Sequence, residues 1–178
     1  MTMQAHGFAC LRAYINTRCY VLRSSWLSPD TQPTSTKSYG RTDLFASRVF
    51  IPKSASTTGQ AQRLPLVICV HGGGFILNNP SFDDPLARRL ADIVNCVVVS
   101  IDYRKAPQSK FPAAYNDIVE QSLAVINDKD LPIGSTKVVL CDSSAGGNLV
   151  LAAAQHPEIR SRLVDVLGLY PLCEVGIC

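Results

Sequence analysis

The chain predicts an α/β domain in which a mostly parallel sheet is flanked by helices. Apolar runs of strand length alternate with segments of helical period, and two glycine-rich motifs stand where such strands run out. Parallel sheets collect their ligand sites at that edge. The strands are expected at 49–51, 66–70, 96–101, 137–141 and 164–169, and the helices near 83–94, 112–127 and 145–155. The 178 residues suit one domain, and 47% hydrophobic content is ample for one buried core.

The first 29 residues carry Arg12, Arg18 and Arg23 and no acid, a composition shared with mitochondrial presequences. Phe8, Leu11, Ile15 and Cys19 fall at helical spacing, which also suits a short lid or a loosely packed extension. Arg12 and Arg18 interrupt the apolar residues, so no secretory core is present, and no segment reaches the ~18 apolar residues of a membrane span. The polar stretch 54–63 reads as a hairpin loop before the next strand.

That strand, Pro65 to Val70, runs directly into His71-Gly72-Gly73-Gly74-Phe75. Glycines after a buried strand leave backbone N–H groups bare and open to close approach. The helix near 83–94 places Leu86, Leu90, Ile93 and Val94 on one stripe, with Ser81 as its cap. The run Cys96 to Ile101 leads into Asp102-Tyr103-Arg104-Lys105-Ala106-Pro107, and then Phe111-Pro112-Ala113-Ala114-Tyr115-Asn116-Asp117 opens a helix with Tyr115, Val119, Leu123 and Ile126 on its inner face.

The densest signal is Val138-Val139-Leu140-Cys141-Asp142-Ser143-Ser144-Ala145-Gly146-Gly147. A buried strand passes into an apolar helix through small residues, and Ser144 stands where the turn must be sharpest. Gly146 lets the helix start close to the strand, and Gly147 removes further bulk. Ser144 would then meet free N–H groups and the positive end of the helix dipole, which favour an oxyanion. The pattern is D-x-S-x-G where a nucleophile elbow usually reads G-x-S-x-G, so the angle that glycine tolerates is expected to fall on Asp142. The frame centred on Ser143 loses both glycines. A glycine-rich helix start capped by two serines would account for the same residues without chemistry.

Together, HGGGF, DYRKAP with FPAAYND, and DSSAGGNL, in this order and spacing, resemble the hormone-sensitive-lipase-like branch of the α/β-hydrolases. The resemblance covers about residues 49–171. It implies an α/β-hydrolase fold and hydrolysis of carboxylic esters with short- to medium-chain acyl groups. Ser144 is then the nucleophile, the amides of Gly73, Gly74 and Ala145 form the oxyanion hole, and His71, Gly72, Asp142, Gly146 and Gly147 give support. No cofactor and no metal are implied. Asp142 and Ser143 stand where the family has Gly-Asp, and Gln108 where it has Glu, which alters a supporting hydrogen bond. The implied division is an N-terminal cap or extension over 1–45 and a partial catalytic domain over 46–178.

The family's acid and base follow the nucleophile. After Ser144 the chain offers Glu158, Asp165 and Glu174 as acids and His156 as a base. A helix between Ser144 and His156 separates them by on the order of 18 Å, beyond hydrogen-bond reach. His71 belongs to the oxyanion loop, and His6 to the N-terminal extension. The expectation is therefore a triad incomplete in this chain, with the C-terminal strands of the fold lacking and Val166 to Leu169 partly uncovered. Two other readings are a catalytically dead hydrolase scaffold that binds a small molecule, as the plant gibberellin receptors of this family do, and a truncated product without function.

The remaining composition excludes other chemistry. Residues 1–63 hold 8 Lys+Arg against 2 acids, and the rest 9 against 12. The basic excess lies outside the glycine motifs without interleaved aromatics, so a solvated face and no nucleic-acid partner are expected. Seven cysteines are an odd number without C-x-x-C spacing. Reduced thiols in a cytoplasmic protein are the expectation, with Cys69, Cys96 and Cys141 as small hydrophobes in strands.

Overall fold

Six strands form one sheet of order β1-β2-β4-β3-β5-β6, whose central strands are apolar on both faces. The computed structural model describes residues 31–56 and 63–171. The strands are β1 (Ser35–Lys37), β2 (Ser47–Phe50), β3 (Leu64–Val70), β4 (Val97–Ile101), β5 (Ile133–Ser143) and β6 (Leu163–Leu169). The helices are α1 (Asp84–Val94), α2 (Ala113–Ile126), α3 (Ser144–Ala153) and the single turn α4 (Pro157–Arg160). Strands β3 to β6 pair in parallel, while β1–β2 and β2–β4 are antiparallel. The sheet is thus mostly parallel, and every described strand expectation has a counterpart. The N-terminal segment before residue 31 lies outside the described residues. Residues 35–37, placed by the sequence before the residue-45 boundary, pair with β2, and Tyr39 enters the core.

Period-two alternation assigns the two faces. Leu66, Ile68 and Val70 of β3, Val97, Val99 and Ile101 of β4, and Val138 and Leu140 of β5 meet Ile118 and Val125 of α2 and Leu149, Val150 and Ala153 of α3. The opposite face presents Phe50, Cys69, Val98 and Cys141 to Ala87 and Ala91 of α1.

Helix α1 corrects two expectations. Its buried residues are Asp84, Ala87, Arg88 and Ala91, whereas Leu86 is 40%, Ile93 74% and Val94 58% exposed. Close approach to the sheet selects alanine over leucine. Arg88 stays inside because its guanidinium donates to Asp92 and to the Ile51 carbonyl. Ser81 is not the cap either: Asn79 caps the 3-10 turn Pro80–Asp83 and accepts from the Ser81 amide at 3.0 Å. In α2 the deepest line is Ile118, Gln121, Ser122 and Val125, with Tyr115, Val119 and Leu123 half-buried beside it.

Candidate active site

Both glycine motifs reach the C-terminal edge of the sheet side by side, because β3 and β5 are parallel neighbours with Cys69 paired to Cys141. The β5–β6 ladder continues through Asp142 opposite Gly168 and Ser143 opposite Leu169. Extended backbone therefore persists to Ser143, which has φ −124° and ψ 159°. The reversal falls on Ser144, at φ 53°. This corrects the expectation that Asp142 carries the left-handed angle: the ladder holds Asp142 extended, so the chain turns two residues later. A non-glycine residue in this region stores on the order of 1–2 kcal/mol.

Ser144 is the first residue of α3, with Ala145, Gly146 and Gly147 buried behind it. A Cβ at Gly146 would fall 1.7 Å from the Val70 carbonyl oxygen, so the helix starts in direct contact with β3. A Cβ at Gly147 would lie 3.0 Å from Pro171 and 3.3 Å from the Asp142 carbonyl oxygen. Ser143 Oγ is directed at Asp142 Oδ1, 3.3 Å away.

The HGGGF loop closes onto this turn. A Cβ at Gly72 would stand 3.1 Å from the Ser143 carbonyl oxygen and 3.5 Å from the Ser144 Cβ. Gly73, Gly74 and Phe75 then take φ of 129°, 61° and 64°, a curl that only glycines enter freely. The amides of Ile76 and Leu77 both donate to the Gly73 carbonyl, while Asn78 Nδ2 donates to the Gly72 carbonyl at 3.2 Å. The DYRKAP segment holds the loop from the other side, its Ala106 amide donating to the Phe75 carbonyl at 3.0 Å.

His71 is fully buried and stacked on Tyr103 at 4.4 Å between ring centroids. Its Nε2 lies 2.9 Å from Asp102 Oδ1 and its Nδ1 2.9 Å from the Gly72 carbonyl oxygen. Burial lowers its pKa, opposed by the Asp102 hydrogen bond. Burial pushes the Asp102 carboxyl up, but the His71 bond and the Lys105 charge outweigh it and hold it below the ordinary range. Lys105 also donates to the Tyr103 carbonyl at 2.8 Å, and the Tyr103 hydroxyl to the His71 carbonyl at 3.1 Å. Both ring nitrogens are thus engaged away from Ser144, which places His71 in the scaffold of the loop. His156 sits beyond the far end of α3, as the residue before α4. Asp102, Tyr103, Lys105 and Asn78 escape sequence reasoning; a charged trio directly after a buried strand was the available sign.

A cavity of about 260 Å³ opens beside this network, between Asp43 to Phe45 and the segment from Asp102 to Ser109. Among the described residues no cluster of His, Cys, Asp or Glu has the arrangement of a metal site, and no helix is long and apolar enough to cross a membrane.

The family model of the alpha/beta hydrolase fold matches residues 67–175, more than half of the chain. The chain belongs to the α/β-hydrolase fold family. Carboxylesterase 20 of Arabidopsis thaliana is 40% identical over 111 residues, 57% of this chain and 34% of that protein. The gibberellin receptor GID1C of the same plant is 34% identical over 139 residues, 68% of this chain and 39% of the receptor. Among solved structures, a hyperthermophilic esterase from Pyrobaculum calidifontis superimposes with a TM-score of 0.77 at 30% identity, over 92% of this chain and 51% of that one. This α/β-hydrolase chain therefore spans about a third of those curated relatives and about half of the solved esterase.

Proposed function

We propose that this chain carries the nucleophile and oxyanion-binding half of a serine carboxylesterase acting on short- to medium-chain acyl esters. The observation that supports this most directly is the φ of 53° at Ser144, on the first residue of a helix that follows a buried strand. Strain of that kind, over-determined by Gly146 against Val70 and by Gly72 against the turn, holds one side chain proud of the backbone. Ser144 Oγ attacks the ester carbonyl carbon, and the carbonyl π electrons move to oxygen. The amides of Gly73, Gly74 and Ala145 meet that oxyanion, aided by the dipole of α3. Collapse of the tetrahedral intermediate expels the alcohol and leaves an acyl-enzyme for water to cleave.

The proton on Ser144 needs an acceptor. His71 is held by Asp102 and the Gly72 carbonyl, and His156 lies beyond the far end of α3. We therefore assign the base to a residue outside the described ones, in the order Ser…acid…His that such hydrolases follow. The 178-residue chain should then turn over p-nitrophenyl acetate only at the residual level that binding and an oxyanion hole supply. Robust turnover abolished by Ser144→Ala would return the base role to His71.

In a form extended by the downstream acid and histidine, Ser144→Ala should lower kcat by ~10⁴-fold or more, while Ser143→Ala leaves most activity. A fluorophosphonate adduct mapped by mass spectrometry should lie on Ser144, and an adduct on Ser143 would overturn the assignment. A folded protein that takes no label at either serine would favour small-molecule binding, the role that the name of the relative GID1C describes for that protein.

A further inference from the structure

We propose that Asp83 and Asp142 form a buried carboxyl pair sharing one proton, a clamp that ties the segment after the glycine loop to the strand end carrying Ser144. Asp142 Oδ1 accepts from the Ser143 amide at 2.7 Å, but its Oδ2 is buried and has no donor. Asp83 is also buried, at the end of the 3-10 turn Pro80–Asp83, and its carboxyl is in hydrogen-bond contact with that of Asp142. Two ionised carboxylates are acceptors only, so this contact requires a proton between them. A buried like-charge pair keeps such a proton because ionising both groups in a low dielectric is costly.

The groups around the pair fit a single retained proton. Cys69 faces it from β3 and Cys141 from β5, and the Ser143 amide donates to Asp142. The hydrogen bond to Cys141, burial and the two nearby aspartates all push the Cys69 thiol up, so it stays uncharged. Burial is the largest influence on Asp142 and raises its pKa to about 6. Because the two carboxyls interact, that midpoint belongs to the pair. The Asp83 contact lowers the Asp142 pKa because a protonated Asp83 donates to the ionised form. Above that midpoint the pair therefore keeps one shared proton and the clamp is closed, and it opens only where that last proton is lost.

The two ends of the clamp explain its consequence. One is in the chain that leaves Gly73 and Gly74, and the other fixes the amide of the residue before Ser144. The pair therefore sets the spacing between oxyanion donors and nucleophile. These are positioning residues, and this last consequence rests on the esterase reading; the shared proton does not.

Carboxyl NMR of the 178-residue chain with labelled aspartate tests the pair without any catalysis. The wild type should show an aspartate titrating near pH 6, with the Ser143 amide proton moving at the same midpoint. In Asp83→Asn one carboxyl remains, so the proton that the wild-type pair still holds above the midpoint near 6 should be gone. In Asp142→Asn that last step should be lost likewise, which keeps the test available if one variant does not fold. A last titration step that survives both Asp83→Asn and Asp142→Asn, or a wild type with both aspartates fully ionised once the pH passes the midpoint near 6, would overturn the proposal. A shared titration near 6, with no fluorophosphonate adduct on Ser144 in the form extended by the downstream acid and histidine, would support the clamp and overturn the esterase reading.

Discussion

At Gly146 no other side chain fits, since the nearest atom to an added Cβ is backbone, the Val70 carbonyl oxygen at 1.7 Å. Rotamer changes cannot relieve such a clash, so α3 would have to withdraw from β3. Gly146→Ala should cost at least ~3 kcal/mol in urea unfolding, at or above the top of the usual over-packing range. Asp142 gives a second expectation, with a sign. Its folded pKa of about 6 lies above the ordinary 3.8, so the folded state binds the proton more tightly than the unfolded chain. The associated stability is fully present below about pH 4 and is lost as pH rises through 6, on the order of 3 kcal/mol in all. Asp102 is held below its ordinary value and acts in the opposite sense, adding stability above that value and losing it as pH falls. Comparing urea midpoints at about pH 5 and about pH 7.5, Asp142→Asn should gain on wild type at the higher pH; an unchanged difference would exclude the shifted carboxyl. Ser144 and the glycines are legible in the sequence because their chemistry is local. The Asp83–Asp142 contact and the His71–Asp102 bond are not, because their partners meet only through the strand order.

Among the elements, α1 shows where periodicity misleads. Its largest apolar residues repeat at helical spacing, yet the face that touches the sheet is Ala87 and Ala91 over Cys69, Val98 and Cys141. Small residues on both sides bring helix and sheet together, and hydrophobicity weighted by size points at the wrong stripe. Ile93→Lys should therefore leave stability within about ±0.5 kcal/mol, while Ala91→Leu should cost about 1–3 kcal/mol by over-packing. The reverse order in urea denaturation would restore the stripe of Leu86, Leu90, Ile93 and Val94 as the inner face. The parallel strands were readable from VVVSI and LVICV, which are buried on both faces. Strand β1, Ser-Thr-Lys, carries no apolar pattern and exists through its pairing with β2, which no local signal announces.

Across the whole molecule the two faces of the sheet are unequally covered. Helices α2 and α3 lie over one face, and Val166 of β6 packs into that core. On the other face α1 lies over Phe50, Cys69, Val98 and Cys141. Leu167 is paired with Cys141 and Leu169 with Ser143, so parallel register puts both on the α1 side. There they are 48% and 40% exposed. Apolar side chains exposed in this way on an edge strand drive association. The sequence foresaw uncovered residues at the end of the sheet but not which face they occupy, since that depends on the β5–β6 register. Sedimentation velocity on the 178-residue chain should show concentration-dependent association in the micromolar range. Leu167→Lys with Leu169→Lys should reduce it while leaving the far-ultraviolet circular dichroism unchanged, because neither side chain contributes to a described core cluster. Association undiminished by both lysines would place the sticky surface elsewhere, and a strictly monomeric wild type would show that this face is covered by chain outside the described residues.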